Sequence, residues 1–295
     1  MLTRDLLARI RKIEIKTRKV VEEMTGGAYR SVYRGRGIEF SEVRTYTEGD
    51  DVRDIDWNVT ARTGVAHIKK YVEERELTVI IAVDISSSTL FGSAEDDKRD
   101  KMAETAALLA FSAIRNNDKV GLLLFSDRVE SYIPPRSGRA HVMRVIRDLV
   151  ATHPRGRGTN IAAALESLSR TLKKKTVIFL ISDFMDEGDF WKPLRILNRR
   201  HDLAAIRVVD SLETALPTAA ALELEDAETG ATFAFPGSRL AATRYAAAQE
   251  LFDRQLEENC RQAKVDLIEL PCTGDIVKPL MGFFQKRGKR KSGGR

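Results

Sequence analysis

The chain has 295 residues, of which 43% are hydrophobic and 31% are charged. A chain of this length buries enough apolar surface to fold without a disulfide or a metal ion. Its composition excludes the collagen-like, low-complexity and wholly disordered classes. The two cysteines, Cys260 and Cys272, are too few for a disulfide scaffold and favour a reducing compartment.

The net charge of +6 is located at the C-terminal end of the chain. Residues 286–295 contain six of the 49 Lys and Arg residues and no acidic residue, so the rest of the chain is neutral on average. A short basic end of this kind is usually solvated. We therefore predict a basic tail over 286–295, and binding of nucleic acid through this tail is the least favoured function.

No apolar run approaches the ~18 residues that a membrane-spanning helix requires. Charged residues at Arg4, Asp5, Arg9 and Arg11 interrupt any signal-peptide core. The sequence therefore predicts a cytoplasmic protein without a membrane span.

Residues 1–24 have the pattern of one amphipathic helix, which Gly26 and Gly27 end. Its apolar seam has alternating spacings of four and three, as in a coiled coil, and comprises Leu6, Ile10, Ile13, Thr17, Val20 and Met24. About three heptads are marginal for an independent coiled coil, so we favour packing of this seam on the protein's own body. Packing against a partner helix is the alternative.

Residues 25–76 form a charged segment with strand-like pieces near 37–40 and 66–72. A dense cluster of charges surrounds Trp57 and comprises Asp50, Asp51, Arg53, Asp54, Asp56 and Arg62. One interpretation is a paired, partly buried network that holds the segment to the following domain, and we favour it for Trp57. The other is a docking surface, and both remain open for Asp54, Asp56 and Arg62.

Residues 77–285 alternate between strands and helices. Strands are predicted at 77–83, 120–125, 176–181, 203–209 and 265–270, with an edge strand at 129–133 and a hairpin of 221–224 with 232–235. Helices are predicted at 98–115, 139–150, 159–172, 190–199, 239–262 and 276–284. Because the central strands are continuously apolar, the pattern predicts an α/β fold with a mostly parallel sheet and helices on both faces.

Oxygen-bearing side chains follow the predicted strands at the points where ligands bind in open α/β sheets. Asp84, Ser86 and Ser88 come after the first buried strand, and Asp183 comes after the third. Thr159 follows a glycine-containing loop and is placed at the start of a helix. Each residue alone also fits a turn or a helix cap. Together they form a set of hard oxygen donors, which suits Mg²⁺, Mn²⁺ or Ca²⁺ rather than zinc.

This pattern resembles the metal-ion-dependent adhesion site of von Willebrand factor A domains, with all five positions present. The upstream segment resembles the signature of the bacterial domain-of-unknown-function fifty-eight family through residues 37–40, 43–46, 49–53, 55–57 and 61–62. That family is von Willebrand factor A-like, and its genes often accompany MoxR-type AAA ATPases. The resemblance extends over about residues 25–285.

The resemblance implies a Rossmann-like, metal-binding domain that is used for protein–protein contact and not for catalysis. It implies that Ser86, Ser88 and Thr159 contact the metal directly, whereas Asp84 and Asp183 act through water. A Glu or Asp of a partner protein then fills the open coordination position. The implied function is that of an adaptor or client-handling partner of a MoxR-type AAA ATPase.

The alternative function is a divalent-metal-dependent phosphatase or nuclease. Against it, residues 84–86 lack the second aspartate of the Asp-x-Asp phosphatase pattern. The four histidines have no metal-ligand spacing, and they are His67, His141, His153 and His201. Residues 155–158 are rich in glycine but are not part of a Gly-x-x-x-x-Gly-Lys motif, so nucleotide hydrolysis is not favoured.

Overall fold

The computed structural model describes residues 10–14, 17, 39–72, 76–90, 97–214, 216–218 and 221–292. Its strands, in chain order, are β1 (Glu39–Thr45), β2 (His67–Val72), β3 (Thr78–Asp84), β4 (Lys119–Phe125), β5 (Val129–Arg136), β6 (Val177–Ser182), β7 (Asp202–Val209), β8 (Leu222–Glu225), β9 (Thr232–Phe235) and β10 (Asp266–Pro271). Its labelled helices are α1 (Trp57–Thr63), α2 (Lys98–Arg115), α3 (Arg139–Ala151), α4 (Ile161–Thr171), α5 (Trp191–Arg200), α6 (Ser211–Thr214), α7 (Arg239–Ala263) and α8 (Val277–Ser292).

Six strands form the central sheet in the order β10-β7-β6-β3-β4-β5. All neighbouring pairs are parallel except β4 with β5, which is antiparallel. From β3 the chain continues to β4 and β5 on one side, whereas β7 and β10 lie beyond β6 on the other side. The boundary between β3 and β6 is therefore the topological switch point of a doubly wound sheet.

The edge strand β5 is longer than predicted. It continues beyond Ile133 through Pro134 and Pro135 to Arg136. A strand at the edge of a sheet tolerates proline because one of its sides has no neighbour that needs a backbone N–H.

Helices cover both faces of the sheet, as predicted. Alternate side chains of a strand point to opposite faces. Val79, Ile81 and Val83 belong to one buried apolar cluster together with side chains of α2, α3 and α8. Ile80 and Ala82 belong to a second cluster with side chains of α4, α5 and α7. The predicted fold class, a mostly parallel α/β sheet between two layers of helices, is confirmed.

The described part of the N-terminal seam packs on the protein itself. Ile10 and Ile13 are buried in the same cluster as the first face of the sheet. The Thr17 side chain is also buried, and its hydroxyl donates to the carbonyl of Ile13 at 2.7 Å. The favoured interpretation is confirmed for these residues, whereas Leu6, Val20 and Met24 lie outside the described residues.

The charged segment forms its own small unit, in which β1 and β2 pair antiparallel and α1 lies between them in sequence. Asp56 is buried and caps α1, since its carboxylate accepts the N–H groups of Asn58 and Val59. Trp57 follows at the first helical position and is 67% exposed. The prediction of a partly buried network around Trp57 is therefore wrong. The charges pair locally instead, as Arg44 does with Asp50 at 2.6 Å, and these pairs do not enclose the indole ring.

The last helix is longer than predicted, because α8 continues beyond Phe284 to Ser292. Arg287 lies 2.7 Å from a carboxylate oxygen of Asp202 and 2.5 Å from one of Asp266. Arg290 contacts Asp266 at 3.0 Å. These aspartates begin β7 and β10, and their charge holds the basic residues on the sheet. The prediction of a solvated tail is therefore wrong for Arg287, which is largely buried, whereas Arg290 is 73% exposed.

Within the part of the chain that the structure describes, no helix combines the length and the apolarity that crossing a bilayer requires.

Candidate metal centre

The sheet brings two of the predicted site residues to one edge. Asp84 is the last residue of β3, and Asp183 directly follows β6. Because β3 and β6 are hydrogen-bonded neighbours, both carboxylates lie at the switch point. Ligands of doubly wound sheets bind in the crevice at this point.

Asp84 is fully buried and its hydrogen-bond donors are neutral among the described residues. Its Oδ1 accepts the backbone N–H of Ser86 at 2.9 Å, and its Oδ2 accepts the hydroxyl of Ser182 at 2.7 Å. Burial and the nearby charge of Asp183 raise the pKa of Asp84 to about 7, against the effect of these donors. Ionisation of Asp84 therefore destabilises the folded state unless a nearby cation compensates the negative charge.

Two hydroxyl groups face each other in the loop that follows β3. The Oγ atoms of Ser86 and Ser88 lie 3.0 Å apart, where a short 3-10 helix over Ser87–Leu90 turns the chain. The backbone N–H of Ser87 donates to the carbonyl of Arg157 at 3.0 Å. This bond joins the serine loop to the glycine-containing loop that precedes Thr159.

Thr159 neither begins nor caps the next helix, which was predicted to start at this residue. The helix α4 begins at Ile161, and Asn160 caps it by accepting the N–H of Ala163 at 2.9 Å. Asparagine is as good a cap as serine and better than threonine, and it takes this role one position later. The Thr159 hydroxyl instead donates to Oε1 of Glu228 at 2.7 Å.

Asp183 is buried and paired with a buried lysine. The Nζ of Lys98 lies 2.7 Å from Oδ2 of Asp183 and 2.5 Å from Oε1 of Glu213. The other Asp183 oxygen accepts the N–H of Met185 at 3.1 Å, so this carboxylate does not cap α5, which begins only at Trp191. Burial alone would lower the pKa of Lys98, but the two carboxylates outweigh it and raise this pKa.

Hydrogen bonds within and between neighbouring loops bring the five predicted residues to one edge of the sheet. Asp84 contacts Ser86, and Ser86 contacts Ser88. Asp84 accepts the hydroxyl of Ser182, the neighbour of Asp183. The bond from Ser87 to Arg157 brings the loop of Thr159 to the serine loop. The predicted residues therefore form one cluster at the sheet edge.

The donor chemistry of this cluster fits a divalent cation. Three hydroxyl oxygens and two buried carboxylates are hard donors, which suit Mg²⁺, Mn²⁺ or Ca²⁺. The structure contains, among its described residues, no group of three or more His, Cys, Asp and Glu side chains that could hold a metal. A cation at this cluster therefore depends on the hydroxyl groups, and it would compensate the buried charge of Asp84.

Three residues of the cluster were not predicted. Ser182 ends β6 and orients Asp84, and the Ser-Asp pair at this strand end is a signal that makes it recognisable. Lys98 is one of several charged residues around the start of α2, and its sequence neighbours do not distinguish it. Glu228 lies in the predicted hairpin turn, but no sequence pattern connects that turn to the site.

The family model described as "Protein of unknown function DUF58" matches residues 42–255 of the chain. The chain belongs to the DUF58 family. This confirms the predicted family, and the matched region includes all five candidate site residues.

A curated relative of similar length also matches the chain. The chain is 30% identical over 285 residues to the uncharacterized protein Rv1480 of Mycobacterium tuberculosis. The aligned region covers 96% of this chain and 90% of that relative.

The fold is also similar to solved structures. An aerotolerance-related membrane protein from Bacteroides fragilis aligns with a TM-score of 0.50 and 16% identity, covering 72% of this chain and 99% of that chain. The SpRpn10 VWA domain aligns with a TM-score of 0.41 and 9% identity, covering 71% and 95%. At this identity a likeness shows the fold alone. The strand order shows the mostly parallel α/β sheet that was predicted. The von Willebrand factor A-like assignment stays a prediction from the sequence.

Proposed function

We propose that this DUF58 chain is a protein-interaction module that binds a divalent cation at the switch point and, through it, a carboxylate of a partner protein. The observation that carries the proposal is the cluster of three hydroxyls and two buried carboxylates at the edge between β3 and β6. Ser86, Ser88 and Thr159 are the proposed direct ligands, and Asp84 and Asp183 orient the site through water and hydrogen bonds. The bound cation supplies one coordination position to an incoming Glu or Asp side chain.

The hydrogen bonds of the two aspartates support these roles. Both oxygens of Asp84 accept neutral donors, and both oxygens of Asp183 accept bonds from Met185 and Lys98. The hydroxyl oxygens of Ser86, Ser88 and Thr159 are the remaining ligand atoms, and each hydroxyl can rotate toward an ion by giving up its present hydrogen bond. Because Lys98 compensates one carboxylate, a divalent ion at this site keeps much of its affinity for an external carboxylate.

The proposed partner is a MoxR-type AAA ATPase, for which the chain acts as an adaptor or handles a client. This part rests on the family resemblance of the sequence. If the contact is micromolar, the complete interface contributes about 8 kcal/mol, of which the metal–carboxylate contact is one part.

Co-purification with matched serine variants tests the proposal. The tagged full chain, Ser88→Ala and Ser87→Ala are isolated from the native cell in Mg²⁺ or in EDTA. Ser87→Ala removes a neighbouring hydroxyl that lies outside the proposed ligand set and is the control. We expect the wild type and Ser87→Ala to recover an AAA ATPase only in Mg²⁺, and Ser88→Ala to recover much less.

Absence of an AAA ATPase from every wild-type sample would contradict the partner. Equal recovery in Mg²⁺ and EDTA would contradict the metal-dependent mode of contact. Hydrolysis of p-nitrophenyl phosphate by the pure wild type with Mg²⁺, lost in Ser88→Ala, would instead support the phosphoesterase alternative.

A further inference from the structure

We infer that Glu228 is an internal carboxylate ligand of the candidate metal site, at the position that a partner's carboxylate takes. The inference rests on the proposed function and assigns a role to the β8–β9 hairpin. The hairpin is an internal cap over the site, and a partner has to displace it.

Glu228 lies directly on the loop that carries a proposed ligand. Its Oε1 accepts the Thr159 hydroxyl at 2.7 Å. A Cβ atom added to Gly158 would lie 3.4 Å from Oε2, so the second oxygen lies over the same loop. A Cβ atom added to Gly230 would lie 4.0 Å from a guanidinium nitrogen of Arg157, which places the hairpin turn beside that loop as well.

The hairpin turn holds Glu228 in a defined orientation. Oδ1 of Asp226 accepts the N–H groups of Glu228 at 2.9 Å and Thr229 at 2.8 Å. Two backbone bonds close the turn, from Gly230 to Asp226 and from Asp226 to Ala231. The backbone of Glu228 is therefore fixed by its own turn, and its side chain extends toward Thr159.

The charges around Glu228 are those expected where a cation binds. The carboxylate is partly buried, and the negative charges of Asp183, Asp226 and Asp186 act on it. The buried ammonium group of Lys98 lies between Asp183 and Glu213. A divalent cation between Thr159 and Asp183 would convert the repulsion around Glu228 into attraction.

The hairpin can separate from the site without disrupting the central sheet. The strands β8 and β9 form a separate two-stranded sheet that is not part of the central sheet. Most of its side chains are exposed, including Phe233 at 56%. A two-stranded hairpin is marginal on its own, so its contacts with the rest of the chain, including the bond between Glu228 and Thr159, contribute to its stability.

The test compares Mn²⁺ binding in three full-length chains by electron paramagnetic resonance. They are the wild type, Glu228→Gln and the control Glu225→Gln, which removes one exposed charge from the same hairpin. We expect Glu228→Gln to raise the Kd for Mn²⁺ about tenfold, which corresponds to about 1.4 kcal/mol. Glu225→Gln should change it less than about twofold, because both variants have the same net charge and only Glu228 faces the site.

Hydrogen exchange of residues 222–235, with Mg²⁺ or EDTA, gives an independent measurement. Mg²⁺ should slow exchange of the hairpin in the wild type and in Glu225→Gln but not in Glu228→Gln. Equal Mn²⁺ affinity in all three chains, with no Mg²⁺ effect on the hairpin, would overturn the role of Glu228 and leave the proposed metal site standing. A wild type that binds neither metal would overturn both.

Discussion

At the residue scale, the buried side chain of Lys98 depends on two ion pairs with neighbouring carboxylates. Its ammonium group is almost completely buried and lies within 2.7 Å of two carboxylates, those of Asp183 and Glu213. A buried ion pair adds little stability compared with apolar residues, but removal of one partner leaves uncompensated charge. Lys98 therefore holds Asp183 in place, but the folded state loses stability if either the lysine or a carboxylate partner is removed.

We predict that Lys98→Met lowers the free energy of unfolding by about 3 kcal/mol, because the buried carboxylate of Asp183 and the partly buried one of Glu213 lose their counter-charge. The matched control is Lys119→Met, which breaks an exposed pair with Glu76 and should cost less than about 1 kcal/mol. Adding Glu213→Gln to Lys98→Met should restore part of the loss. Urea unfolding measures all three variants, and equal costs for Lys98→Met and Lys119→Met would contradict this account.

The sequence predicts the place of a site residue correctly where the end of a strand determines that place. Asp84 and Asp183 follow continuously apolar runs, so the end of each run fixes the sheet edge at which they lie. The predicted start of helix α4 at Thr159 was two residues too early, because Asn160 is a better cap than threonine. The contact of Glu228 with Thr159 was not predictable, because it depends on how a separate hairpin folds back over the site.

At the scale of elements, the strand β5 fixes the loop that carries the site. Oε1 of Glu130 accepts the hydroxyl of Ser126 at 2.6 Å and the N–H groups of Arg155 at 2.8 Å and Gly156 at 3.1 Å. The close approach of this loop explains its glycine, because a Cβ atom at Gly156 would lie 1.9 Å from the Asp127 carboxylate. The edge strand therefore positions the residues that lead to Thr159.

We predict that Glu130→Ala lowers the free energy of unfolding by about 1 kcal/mol at pH 7, because the N–H groups of the loop lose their acceptor. Burial alone would raise the pKa of Glu130, but these hydrogen bonds outweigh it and lower the pKa below the unfolded value of 4.5. The folded state therefore binds this proton less readily than the unfolded state. The contribution of Glu130 is present above pH 4.5 and is lost as the pH falls through the lowered pKa.

Urea unfolding of the wild type and Glu130→Ala between pH 7 and pH 3.5 measures this difference. The stability gap should narrow below pH 4.5. Glu166→Ala, which removes an exposed carboxylate on α4, is the control and should show little change with pH. A gap that stays constant across this range would contradict the assigned role of Glu130.

Helix α2 was predictable over its full span, whereas α8 was not. Buried apolar positions recur through α2 to its last turn, so periodicity alone defines it. The last apolar anchors of α8 are Phe283 and Phe284, and the helix continues because Arg287 pairs with aspartates distant in sequence. Periodicity contains no information about such long-range pairs.

At the scale of the whole molecule, the order of the sheet creates the site. The chain leaves β3 toward one side of the sheet, whereas after β6 it continues on the other, and the crevice opens between them. The alternation of strands and helices predicts the sheet, and its switch point follows once the strand order is known. The exposure of Trp57 was not predictable in this way, because it depends on a separate small unit of the fold.

Thermal unfolding with and without metal tests the central claim most directly. A ligand at a hundred times its Kd stabilises the folded state by about 2.7 kcal/mol, which raises the Tm by several degrees for a chain of this size. We expect millimolar Mg²⁺ or Mn²⁺ to raise the Tm of the wild type and of the control Asp148→Asn relative to EDTA, and to leave the Tm of Asp84→Asn unchanged. No rise in the wild type, or an equal rise in Asp84→Asn, would contradict a metal site at this edge of the sheet.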